Sequence, residues 1–92
     1  MYYILFYKTT EDYLERRGAY RPEHLDLINS YHAKGDLVMA GALADPADSA
    51  VFIFKGDTTQ AAEDFANNDP YVKNGLIREW QVRQWNVVAG GE

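Results

Sequence analysis

The run Tyr2-Tyr3-Ile4-Leu5-Phe6-Tyr7 restricts this chain more than any other stretch. Consecutive aromatic, β-branched and apolar residues over so short a span favour a strand over a helix that could not stand alone. Alternation then puts Tyr2, Ile4 and Phe6 on one face and Tyr3, Leu5 and Tyr7 on the other. Val51-Phe52-Ile53-Phe54 repeats the pattern. A chain of 92 residues has helices enough for one face of a small sheet, so the second apolar face calls for another subunit. The expectation is a homodimer or a higher oligomer.

Composition narrows the partners. Nine basic residues against fourteen acidic ones give a net charge of −5, and apart from Arg16-Arg17 and Arg21 the basic residues are scattered, so nucleic acid is not expected. Cysteine is absent, which removes disulfides, thiolate metal sites and a cysteine nucleophile. No basic segment precedes a long apolar core at the start, and no apolar run reaches membrane-spanning length, so a cytoplasmic location away from membranes is expected.

The remaining elements follow in order. Thr9 to Tyr20 is polar and broken by Gly18, a loop or short irregular helix. From Pro22 to Lys34, Leu25, Ile28 and Tyr31, with Leu27 beside them, follow helical spacing, and Gly35 fits the stop. Asp36 to Leu43 reads as strand two and Ala50 to Lys55 as strand three, joined by a loop of Asp, Pro and Ser. Thr58 or Thr59 can cap a helix whose apolar stripe is Ala61, Ala62, Phe65 and Ala66. Asp69-Pro70-Tyr71-Val72-Lys73-Asn74-Gly75 fits one further helical turn, with Asp69 as its N-cap, and Leu76 to Val88 forms the last strand. One domain over residues 1–92 results, with the order βαββαβ, an α+β ferredoxin-like fold with a four-stranded antiparallel sheet.

Three segments, Arg21-Pro22-Glu23-His24-Leu25, Gly35-Asp36-Leu37-Val38-Met39-Ala40-Gly41 and Asp69-Pro70-Tyr71-Val72-Lys73-Asn74-Gly75-Leu76, occur in the order seen in YCII-related (YciI-like) proteins of the dimeric α/β-barrel superfamily, which the chain resembles nearly end to end. That resemblance implies two ferredoxin-like subunits packed sheet against sheet. It also implies a pocket holding a histidine of the first helix and the aspartate of the Asp-Pro-Tyr segment, here His24 and Asp69. Two departures concern the pocket wall: Gly41-Ala42 stands where the family often has Gly-Pro, and the loop before strand three keeps only Asp48-Ser49-Ala50.

The chemistry expected of these residues is proton transfer. A helix N-terminus disfavours an imidazolium at His24, whereas a carboxylate at Asp69 would accept one ring N–H, fix the tautomer and stabilise the cation once a proton is taken. Arg21, one turn before His24, could hold a substrate carboxylate, with Gly41 and Tyr71 as further substrate contacts. The expectation is a cofactor-free isomerase- or lyase-type enzyme acting on a small anionic organic molecule. The alternative is a non-catalytic module binding small ligands in the same pocket.

No metal is expected, because Asp45 and Asp48 are too few for a calcium loop and His24 and His32 lack an i, i+4 relation. His32 reads as a surface residue at the helix C-terminus. Trp80 and Trp85 belong to opposite faces of the last strand, one for the core and one for an interface or pocket wall. RNA binding, suggested by topology and Phe52 and Phe54, lacks the sequence pattern and basic surface it needs. A haem-handling oxygenase would need an axial ligand or polar triad that has no candidate.

Overall fold

The computed structural model describes residues 1–91. The elements are β1 (Tyr2–Thr9), α1 (Tyr13–Arg16), a 3₁₀ turn (Arg17–Ala19), α2 (Arg21–Ala33), β2 (Leu37–Ala42), β3 (Ser49–Lys55), α3 (Gln60–Asn68), α4 (Pro70–Lys73) and β4 (Ile77–Trp85). The strands form one sheet in the order β2-β3-β1-β4 with every neighbouring pair antiparallel. This is the ferredoxin-like α+β arrangement that the element order calls for.

Register assigns the faces. Tyr3, Leu5 and Tyr7 pair across β1 and β3 with Phe54, Phe52 and Ala50, and across β1 and β4 with Gln84, Val82 and Trp80. All of these lie on the helix-covered face. Tyr3, Leu5, Tyr7, Leu37, Ala50, Phe52 and Phe54 are buried there with Ala62, Phe65 and Ala66 of α3. Phe65 is fully buried, with Tyr31, Phe52 and Phe54 rings centred 5.4, 5.0 and 5.8 Å away. Trp80 packs against this core, while Trp85 sits on the outer face, paired with Tyr2 and 45% exposed.

The two main helices each turn one polar residue inward. On α2 the stripe facing the sheet is His24, Leu27, Ile28 and Tyr31, the i, i+3, i+4, i+7 set. Leu25, expected on the stripe, lies one step round the helix and is 38% exposed, because the inward position belongs to His24. On α3 the buried residues are Ala62, Phe65 and Ala66, and Asp69 comes next in the same spacing at its C-terminus. The hydrophobic pattern of each helix therefore leads directly to a titratable side chain.

Several boundaries differ from expectation. α2 starts at Arg21, so Pro22 is its second residue, still within the turn whose amides need no intrahelical acceptor. Thr59 precedes α3 without capping its backbone: its hydroxyl donates to the Glu63 carboxylate, and Thr58 Oγ1 accepts from Gln60 N at 3.2 Å instead. β4 ends at Trp85 rather than Val88. Gly35 and Gly75 close α2 and α4 with φ of +88° and +76°, a region that favours glycine. His32, at the exposed end of α2, has Nδ1 2.8 Å from the Leu37 carbonyl oxygen, tying the helix end to β2.

Candidate active site

Asp69 is the organising group. It is fully buried, and its extended backbone (φ −71°, ψ 124°) separates α3 from α4 while its side chain caps the latter. Oδ1 accepts from the Tyr71 backbone N–H at 3.0 Å and lies 2.8 Å from His24 Nδ1; Oδ2 accepts from the Tyr7 hydroxyl at 2.7 Å. One carboxylate thus joins β1, α2 and α4. An ionised carboxylate can only accept, so the His24 tautomer that matches this geometry carries its proton on Nδ1 and leaves a lone pair on Nε2. Among the described residues Nε2 has no hydrogen-bond partner.

The histidine ring is fixed on its faces as well as its edge. It stacks on the Tyr71 ring with centroids 3.7 Å apart and planes 8° from parallel, and the Phe52 and Phe65 rings meet it edge-on at 6.3 and 6.4 Å. Tyr13 in turn meets Tyr71 edge-on at 5.8 Å, and the Arg17 guanidinium lies 5.5 Å from the Tyr13 ring centre. Burial, the Asp69 charge and the hydrogen bond to Asp69 raise Tyr7 far above the usual phenol range, so it stays a donor. Tyr71 is raised too, by burial first and by Tyr13 and Asp69, against the lowering charges of Arg21 and Arg17.

These groups surround a cavity of about 280 Å³ between α2, the 3₁₀ turn, α4 and the sheet. His24, Arg21, Gly41 and Tyr71 all line it, so the residues singled out from sequence converge there with Asp69 directly behind His24. Arg21 is exposed and Arg17 half-buried, and neither forms an ion pair among the described residues. A Cβ at Gly41 would meet nothing within 4 Å, so the chain itself does not demand glycine there. Sequence reasoning assigned Tyr7 to core or interface packing ahead of the pocket and left Thr9 and Arg17 without roles. The signal for Tyr7 was its place on the core face of β1, and for Arg17 its membership of the basic cluster with Arg21. Among the described residues no group of three or more His, Cys, Asp or Glu is placed to hold a metal ion.

A second concavity, about 540 Å³, lies on the outer face of the sheet. Tyr2, Met39, Val51, Ile53 and Trp85 line it, and among the described residues no Asp, Glu, His, Lys or Arg does. Of these two concavities, the smaller is the one lined by a histidine and two arginines. Among the described residues no helix is long and apolar enough to cross a membrane.

A ferredoxin-like α+β fold with a buried His–Asp contact beneath a small cavity defines the class. The chain belongs to the YCII-related domain family, whose match spans residues 1–86. It is 31% identical to the protein YciI of Escherichia coli O6:H1 over 96% of this chain and 99% of that protein. It is 32% identical to an uncharacterised Haemophilus influenzae protein over the same shares. Among solved structures, its fold is similar to 5-chloro-2-hydroxyhydroquinone dehydrochlorinase (TftG) of Burkholderia phenoliruptrix in complex with 2,5-dihydroxybenzoquinone, with a TM-score of 0.78, 20% identity and 94% of each chain covered. A NIPSNAP domain protein of Burkholderia xenovorans matches more loosely, with a TM-score of 0.56 and 19% identity over 99% of this chain and 97% of that one.

Proposed function

We propose that this YciI-like protein is a cofactor-independent acid/base catalyst in which His24, backed by Asp69, moves a proton on a small anionic organic substrate. The observation that carries the reading is the orientation of the histidine: Nδ1 is engaged by a fully buried carboxylate while Nε2 is left for the cavity. Asp69 sets the tautomer and offsets the charge that appears when Nε2 takes a proton. The donors at Tyr7 and the Tyr71 amide hold that carboxylate in place, so the base need not reorganise during transfer. Fold similarity to a dehydrochlorinase solved in complex with 2,5-dihydroxybenzoquinone, a small organic molecule, is in keeping with this reading.

The reading extends to assembly. The outer face carries Tyr2, Ile4, Phe6, Val51 and Ile53 half-buried and Met39 and Trp85 exposed, and among the described residues its groove has no charged lining. A second copy packed on that face would cover it and place Gly41, which lines both concavities, next to the partner.

The test is solvent-deuterium incorporation into a set of small carboxylates with acidic C–H bonds, followed by proton NMR with wild type and His24→Gln. Incorporation that depends on His24 for at least one compound is expected. Wild type no faster than His24→Gln throughout the set, with ligands still bound, would replace catalysis by simple ligand binding. Light scattering tests assembly: wild type should run as a dimer or larger and Ile53→Glu as a monomer, and a monomeric wild type would refute the interface.

A further inference from the structure

Two buried hydroxyls are unaccounted for by the proton-transfer pair. Tyr71 Oη and Thr9 Oγ1 have no hydrogen-bond partner among the described residues, although Tyr71 is 2% and Thr9 6% exposed. A buried O–H without an acceptor is unfavourable, and native interiors rarely leave one so. Both side chains line the 280 Å³ cavity with their oxygens just beneath its surface, so a ligand meets them with a small shift of the lining. Arg17 and Arg21 line it as well, two guanidiniums without carboxylate partners among the described residues of a chain whose net charge is −5. Unspent donors and guanidiniums without carboxylate partners among the described residues, gathered on one small cavity, describe the complement of its ligand. That ligand is rich in acceptor oxygens and negatively charged.

The donors differ in kind. Guanidiniums suit a carboxylate, which they meet with paired N–H groups. The Tyr71 phenol offers one directed O–H, and burial keeps that proton on it across the physiological range. Its ring is stacked on the His24 ring, so the hydroxyl and the imidazole are held as one unit. A ligand using both must carry an oxygen close to the atom from which His24 draws a proton.

We infer that the cavity takes a small oxo carboxylate, its carboxylate held by Arg17 and Arg21 and its carbonyl oxygen by the Tyr71 hydroxyl. The assignment rests on the acid/base reading of His24 and names its substrate class. In the step itself His24 Nε2 takes a proton from the carbon beside the carbonyl. The C–H electron pair becomes a C=C bond, and the carbonyl π pair moves to oxygen as an enolate, where the Tyr71 O–H meets it. Return of the proton from Nε2, to the same carbon or to another along the conjugated system, completes an exchange or an isomerisation. Nothing is oxidised or reduced. A cavity near the lower end of ligand-site volumes, about 300 Å³ and upward, suits a molecule of this size.

The probes are 2-oxobutyrate and butyrate, which differ by the carbonyl, titrated by calorimetry into wild type, Tyr71→Phe, Arg17→Gln and Arg21→Gln. Wild type should prefer 2-oxobutyrate by about tenfold, the worth of one hydrogen bond at the strong end of the usual range. Tyr71→Phe keeps the stacked ring and should erase the preference while leaving butyrate binding unchanged. Each arginine variant should weaken both ligands. No binding of either probe to wild type, a preference that survives Tyr71→Phe, or arginine variants that bind like wild type would overturn the inference. Tyr71→Phe loses no hydrogen bond of its own, so its melting temperature should match wild type and folding should not confuse the result. Deuterium exchange at C3 of 2-oxobutyrate separates the two levels. Wild type that binds with the preference but exchanges no faster than His24→Gln refutes catalysis and keeps the ligand class. His24-dependent exchange in which Tyr71→Phe matches wild type keeps catalysis and refutes the carbonyl contact.

Discussion

Replacing Tyr7 by Phe removes a single oxygen and isolates the support of the buried carboxylate. The ring that packs 4.7 Å from Phe52 stays, and Asp69 loses one of its three donors. A hydrogen bond to a charged group contributes about 1.5–3 kcal/mol, so about 2 kcal/mol is expected at pH 7. For a domain of this size that lowers the melting temperature by roughly 8–16 °C. The same substitution acts oppositely at alkaline pH. In the folded protein Tyr7 is raised above its ordinary value of 10 by burial, the Asp69 charge and the hydrogen bond. Below that value both folded and unfolded chains keep the proton and the wild-type advantage is complete. Above it the unfolded chain ionises while the folded chain does not, so wild type loses about 1.4 kcal/mol per pH unit that Tyr7→Phe does not lose. The two stabilities should therefore converge near pH ~11.5. Urea denaturation at fixed protein concentration, from pH 7 to pH 11.5, measures both effects. A variant within about 0.5 kcal/mol of wild type at pH 7, or stability curves that stay parallel above pH 10, would refute the claim that Tyr7 serves as a neutral donor to an ionised Asp69.

The other predictions concern packing and backbone. Phe65→Ala opens the centre of the core among Tyr31, Phe52 and Phe54 and should cost about 3–5 kcal/mol in chemical denaturation, enough to threaten folding. Gly75→Ala meets no steric contact within 4 Å but forces a side chain onto φ +76°, so thermal melting should show a loss of about 1 kcal/mol and no change in ligand binding. Leu25→Ala, on an exposed part of α2 that still borders the cavity, should change stability by less than about 1 kcal/mol, in contrast to a buried leucine of the same helix stripe.

The sheet was legible because its signals are local and redundant. Tyr2 to Tyr7 and Val51 to Phe54 can hardly adopt anything but strands, and their alternation fixes both faces. Gly35 and Gly75 marked helix ends because positive φ leaves little alternative. Leu25 departs from the expected stripe for a physical reason: the leucines alone suggest the stripe, whereas the inward position one residue earlier holds His24. A polar residue on the core stripe breaks the pattern by which the stripe is recognised. The site divides along the same line. His24 and Asp69 were suggested by their placement at helix termini and by resemblance, and their contact spans 45 residues that local spacing does not connect. Thr9 and Arg17 stayed hidden, and Tyr7 read first as a packing residue, because each has an adequate local explanation as a strand or surface residue. Only the folded register brings Thr9 to the cavity and the Tyr7 hydroxyl to Asp69.

In the proposed mechanism Asp69 holds the His24 proton on Nδ1 and leaves Nε2 as the base. Nitrogen-15 NMR of the two histidine ring nitrogens, in wild type and in Asp69→Asn, reads this directly. The neutral His24 ring of wild type should show the proton on Nδ1 and an unprotonated Nε2, and Asp69→Asn should mix the tautomers. A neutral ring with its proton on Nε2 in wild type, or identical ring spectra in the two proteins, would contradict the account.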